Sequence, residues 1–126
     1  IKHITSVYID PHCKEIAETV NKRYEMDGRF SAVTADMSEY TYNFIPDIVI
    51  NTSAEHIDNN ILKVWKNLIP NKSLIVVQSN DYFELNEHIN CVNSIDEFSK
   101  KIDLNVLYKG TFPTKMYNRF MIIGKK

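Results

Sequence analysis

The sequence predicts an α/β fold, with a mostly parallel sheet covered on both faces by helices and closed by a C-terminal antiparallel hairpin. Three observations carry this prediction. Before the last third of the chain, runs rich in β-branched residues alternate with stretches of helical period. Two of those runs, DIVIN (47–51) and SLIVVQS (73–79), stay apolar without alternating, as strands buried on both faces do. LNVLYKG and YNRFMIIGKK then alternate like strands, and about six residues around Gly110 and Pro113 join them, short enough for a hairpin.

Taken in order, HITSVYI (3–9) is β-branched and aromatic and stops at Asp10-Pro11, where Asp10 can cap a helix and Pro11 can take its first position. HCKEIAETVNKRY puts Cys13, Ile16, Ala17, Val20 and Tyr24 on one helical stripe, and Gly28 ends that unit. FSAVTAD (30–36) reads as a short strand and DIVIN as a fully buried one. From Asp58, DNNILKVWKNL carries Ile61, Leu62, Trp65 and Leu68 at helical spacing, and Pro70-Asn71 closes it before the buried strand SLIVVQS. SIDE (94–97) is a capping box, with Ser94 bonding the backbone of Glu97 and Glu97 reaching back. The helix it opens carries Ile95, Phe98 and Ile102.

The chain has 126 residues, 44% of them hydrophobic and 25% charged, which is ordinary for one globular domain. A formal net charge of −1, with Lys and Arg spread along the chain, leaves no electrostatic footprint for nucleic acid or anionic lipid. A small, roughly neutral partner is favoured. No apolar run has the roughly 20 residues that a spanning helix needs. Cys13 and Cys91 lie far apart without a CxxC spacing, so they are expected to be reduced, mostly buried thiols of a cytoplasmic protein. Assembly into a homo-oligomer is left open by these features.

The order of VYIDP, TAD and PDIVINTSAEHI, each ending a strand, followed by LIPNKSLIVVQS and the closing hairpin, resembles the class I S-adenosylmethionine-dependent methyltransferases. The resemblance covers nearly the whole chain and implies a Rossmann-like three-layer sandwich. It also implies S-adenosylmethionine as cofactor and methyl transfer to a small-molecule substrate. The family has a glycine-rich loop after its first strand, whereas the only glycines here are Gly28, Gly110 and Gly124. The strand ending in VYIDP corresponds to the family's second. Residues 1–126 are therefore expected to form a single methyltransferase-like domain that is N-terminally incomplete.

In open α/β sheets, ligands bind at the carboxyl ends of the strands. The resemblance places the cofactor's ribose near the end of VYIDP, where the usual acidic position falls on Tyr8 and Asp10 follows two residues later. Asp36 matches the acid facing the adenine amino group, with Met37 as an apolar wall. Asn51 and Thr52 would contact the cofactor, and Glu55 or His56 would take the proton from the nucleophile. Histidine titrates near neutrality, which suits that task. Asn80, Asp81, Tyr82 and His88 follow the next strand end, where loops carry substrate specificity. Arg119, inside an apolar strand, is a candidate partner for a carboxylate. The spacing of His56 and His88 with Glu55, Asp81 or Glu87 follows no known ligand pattern, so no metal is expected.

Two other functions are compatible with the sequence. YIDP and the strand-end QS are similar to nicotianamine synthase, which transfers an aminobutanoyl group from the same cofactor. A non-catalytic Rossmann-like binding module is the third reading.

Overall fold

The computed structural model describes residues 1–126, which divide into two units, Ile1–Thr41 and Tyr42–Lys126. In the first unit, strand β1 (Ile4–Tyr8) pairs in parallel with β2 (Phe30–Thr34), and helices α1 (Pro11–Val20) and α2 (Lys22–Met26) connect them. Asp10 caps α1, accepting from His12 N at 2.8 Å, and Pro11 takes the first turn, where a missing N–H costs nothing. One continuous helix was expected over 12–24, but the chain breaks at Asn21. The Asn21 side chain donates to the Ala17 carbonyl at 2.9 Å and so competes with the helical ladder. Of the predicted stripe only Ala17 is buried; Cys13, Ile16, Val20 and Tyr24 are exposed. Gly28, between α2 and β2, lies at φ 68°, a left-handed conformation that glycine adopts without strain.

The second unit holds a four-stranded sheet in the order β3 (Ile48–Asn51), β4 (Leu74–Asn80), β6 (Asn118–Lys125), β5 (Asn105–Pro113). Its β3–β4 pairing is parallel, and the β4–β6 and β5–β6 pairings are antiparallel. This sheet is mixed rather than mostly parallel. The predicted hairpin is present, but β5 runs through Gly110 to Pro113, so the turn is shorter and lies at 114–117. There Thr114 Oγ1 accepts from Tyr117 N at 3.0 Å and the Thr114 N–H donates to the Tyr117 carbonyl at 2.9 Å.

Helix α3 (Asn59–Leu68) is capped by Asp58 and buries Leu62 and Trp65, while Ile61 and Leu68 stay partly exposed. Helix α4 (Ile95–Ile102) buries Phe98 and Ile102. Ser94 Oγ accepts from Glu97 N as predicted. Glu97 reaches one residue further back, to the N–H and the side-chain amide of Asn93, both at 2.9 Å. Ile75, Val77, Ile122, Phe120 and Val92 complete this core. β4 alternates between buried and half-buried positions. β3 departs further from expectation, because Ile48 and Ile50 are 53% and 63% exposed. A strand at the edge of its sheet is not fully buried, however apolar its sequence.

Candidate functional site

In the second unit the parallel strands β3 and β4 end at Asn51 and Asn80, and the groups predicted from the sequence gather just beyond those ends. Asn51 folds its side chain onto the following turn, accepting from Ser53 N at 3.0 Å. A single 3-10 turn, Ala54–His56, then buries Ala54 and Glu55 and leaves His56 at the surface. Glu55 is only 3% exposed. One of its oxygens lies 4.0 Å from Arg119 Nη1, and the other, Oε2, has no hydrogen-bond partner.

Arg119 ties this turn to the sheet. Its Nη2 donates to the Thr52 carbonyl at 2.6 Å, and its Nε donates to Gln78 Oε1 at 3.0 Å. Gln78 is the diagonal neighbour of Arg119 across the β4–β6 ladder, so both side chains leave the same face. The sequence makes Arg119 a candidate for a carboxylate of the cofactor or substrate; the carboxylate beside it in the structure is Glu55 of its own chain. Thr52 enters the network through its carbonyl rather than its hydroxyl.

The loop after β4 is held by residues that the sequence did not single out. Asn90 N donates to the Glu55 carbonyl at 2.9 Å, the Asn90 amide donates to the Ile57 carbonyl at 2.8 Å, and Lys101 Nζ donates to Asn90 Oδ1 at 2.6 Å. Buried Cys91 approaches Asn80 Oδ1 and the Tyr82 carbonyl at 3.3 and 3.4 Å. Burial, reinforced by the Glu55 and Asp81 carboxylates, pushes the Cys91 thiol pKa up. The apolar residues of this loop do not anchor it, since Phe83 and Ile89 are 54% and 64% exposed. Polar residues inside a polar loop carry no periodic signal; the only hint of anchoring is the short apolar pair Cys91-Val92 that follows Asn90.

Asn80 is buried, and its Oδ1 accepts from Tyr82 N at 3.0 Å. Asp81 binds β6, accepting from the Asn118 N–H at 2.6 Å and the Asn118 amide at 2.8 Å. Tyr82 stacks on Tyr117 with ring centroids 5.3 Å apart. Its carbonyl accepts from His88 Nδ1 at 2.7 Å, and the Glu87 carbonyl accepts from His56 Nδ1 at 3.1 Å. The His56 and His88 rings meet edge to face at 4.5 Å. Glu55, His56 and His88 thus converge, with Tyr82 beside His88 at 5.8 Å.

The first unit carries the remaining candidates at its own strand ends. Tyr8 closes β1 and is half-buried, and Asp10 serves as the helix cap. Beyond β2, Asp36 Oδ1 accepts from the Ser38 hydroxyl at 2.6 Å and the Ser38 N–H at 2.8 Å, which lowers the Asp36 pKa. Met37 beside it is half-buried.

No protein-family model and no curated protein matches this chain in sequence. Solved structures do match it in three dimensions. The N-methyltransferase NodS from Bradyrhizobium japonicum WM9 superposes with a TM-score of 0.75 at 11% identity, covering 99% of this chain and 74% of NodS. NodS in complex with S-adenosyl-L-homocysteine gives 0.72 at 9% identity, over 99% of this chain and 68% of that one. The mitomycin 7-O-methyltransferase MmcR gives 0.68 at 16% identity and covers 98% of this chain, which spans 42% of MmcR. The chain has the fold of the class I S-adenosylmethionine-dependent methyltransferases.

Proposed function

We propose that the protein transfers a methyl group from S-adenosylmethionine to a nitrogen or oxygen of a small-molecule substrate. The observation that carries this reading is the superposition of 99% of the chain on NodS, a methyltransferase also solved with S-adenosyl-L-homocysteine. The same superposition supports reading residues 1–126 as one methyltransferase-like domain, a Rossmann-like three-layer sandwich. A net charge of −1 favours a small partner over nucleic acid, and two free thiols favour a cytoplasmic setting.

The residues suit one half of the cofactor. Asp36, held by Ser38 with its pKa lowered, is an ionised acceptor suited to an adenine amino group, and Met37 offers an apolar wall. Tyr8 and the Asp10 carboxylate are the groups assigned to the ribose. For the methionine half no glycine is placed to cradle it, since Gly28 precedes β2 and Gly110 and Gly124 lie within β5 and β6. Asn51 and Thr52 are the remaining assigned contacts.

When bound, S-adenosylmethionine supplies an electrophilic methyl group on a sulfonium. The chain's own contribution is to orient the nucleophile and take its proton. The Glu87 carbonyl can only accept a hydrogen bond, so neutral His56 carries its proton on Nδ1 and its lone pair on Nε2. That lone pair is the proton acceptor, and Glu55 lies beside it in the same cluster. Tyr82, Asp81, Asn80 and His88 shape the substrate side of the same cluster.

Product analysis tests the reading. Incubation of the full-length protein with S-adenosylmethionine and a panel of amines and phenols should release S-adenosylhomocysteine. Release of methylthioadenosine would identify aminobutanoyl transfer instead, and neither product would point to the binding module.

A further inference from the structure

We propose that Glu55, His56 and His88 bind a divalent transition metal of the zinc class. One ring nitrogen of each histidine and one Glu55 carboxylate oxygen all lie within 4.8 Å of one another. Two nitrogen donors and one carboxylate are the ligand set of zinc sites that keep a fourth position open. Such a mixed donor set favours zinc-class ions over magnesium or calcium, which prefer all-oxygen surroundings.

Two independent features point to an ion. The first is the way the imidazoles are held. His56 Nδ1–H donates to the Glu87 carbonyl at 3.1 Å and His88 Nδ1–H to the Tyr82 carbonyl at 2.7 Å. Each ring is thereby held as the tautomer with its lone pair on Nε2. A main-chain carbonyl on one ring nitrogen, which leaves the other free to bind, is the usual outer support of a metal-bound histidine. The second is the Glu55 carboxyl group, 3% exposed, whose Oε2 has no hydrogen-bond partner. Burying such an oxygen unpaired is costly, and the nearest cation, Arg119, stands 4.0 Å from the other oxygen. A metal would complete what Arg119 does not.

Tetrahedral coordination at about 2.1 Å needs ligand atoms roughly 3.4 Å apart, so the three groups must close in. His56 is at the surface, so its turn and the Glu87 carbonyl that holds it can move inward together, whereas Glu55 is fixed by burial. Metal binding does not depend on the methyl-transfer reading. A further role does rest on it: the open position would take the substrate's oxygen or nitrogen and lower its pKa, so that the proton passes to solvent water and His56, as a ligand, is not the acceptor.

The test is a titration of tag-free, chelator-stripped full-length protein with Co²⁺, followed by visible absorption and then by displacement with Zn²⁺. The proposal expects one saturable Co²⁺ site per chain, bleached by Zn²⁺. Glu55→Gln and His88→Ala should each weaken it by about 100-fold or more, and His12→Ala, in the other unit, should leave it unchanged. Glu55→Gln keeps the side-chain shape, so it decides the matter should His88→Ala fail to fold by circular dichroism. No saturable site, or a site indifferent to Glu55→Gln, overturns the proposal. A parallel titration of the stripped protein with S-adenosyl-L-homocysteine separates the two readings: lost cofactor binding counts against methyl transfer and leaves the metal site standing.

Discussion

The imidazoles of His56 and His88 stand edge to face, 4.5 Å apart, although they come from loops that follow different strands. Each is oriented by a main-chain carbonyl of the loop after β4, from Glu87 and Tyr82 respectively. The loop is itself pinned to the Glu55 turn through Asn90. The two rings are therefore brought into contact by backbone placement, with no hydrogen bond between the two side chains.

Arg119 should matter to stability as much as to the site. Arg119→Met removes the bonds to Thr52 and Gln78 and leaves the buried Glu55 carboxyl group without its nearest cation. Urea unfolding should show a loss of about 1–3 kcal/mol. Adding Glu55→Gln to Arg119→Met should recover part of it, because the uncompensated carboxylate is gone.

Acid should weaken the fold partly through helix α4. Hydrogen bonds from Asn93 lower the Glu97 pKa, and Lys109, bonded at 2.6 Å, lowers that of Asp96. A folded-state pKa below the unfolded value contributes stability that is present above the unfolded pKa and lost as pH falls through the folded one. That contribution should begin to fade as pH falls through the unfolded values of 4.5 for Glu97 and 3.8 for Asp96, and be lost below the lowered folded-state values. The Glu97→Gln/Asp96→Asn double variant should show a shallower loss of unfolding midpoint between neutral and acid pH than the parent.

Much of this architecture was legible in the residues, and the failures have physical causes. Asp10-Pro11, Asp58 and Ser94 announced three helix starts, because a cap is a local bond made by a short polar side chain. The break at Asn21 was not legible, since the apolar stripe runs straight through it. β3 looked buried because an apolar run does not say what covers it. At the site, the Glu55-His56 pair was visible from its position after a strand. The approach of His88 depends on Asn90 and on Lys101, which holds it, and neither leaves a pattern in the sequence.

The two thiols should react differently. Cys13 is exposed on α1 and Cys91 is buried with a raised pKa. Ellman's reagent at neutral pH should modify one thiol per chain rapidly and the second only on unfolding, and Cys13→Ser should abolish the fast phase.

Gly124 lets β6 lie close to the start of β5. A Cβ there would come within 2.7 Å of the Asn105 carbonyl oxygen and 3.0 Å of Leu104 Cβ, and a backbone oxygen cannot step aside cheaply. Gly124→Ala should cost about 1–3 kcal/mol in chemical denaturation.

The most direct measurement is calorimetric titration of S-adenosyl-L-homocysteine into the full-length protein, its Asp36→Ala variant and its His56→Ala variant. Methyl transfer with Asp36 on the adenine predicts saturable binding to the parent, binding weakened by roughly tenfold or more in Asp36→Ala, and binding unchanged in His56→Ala. Absence of saturable heat in the parent protein would contradict the account.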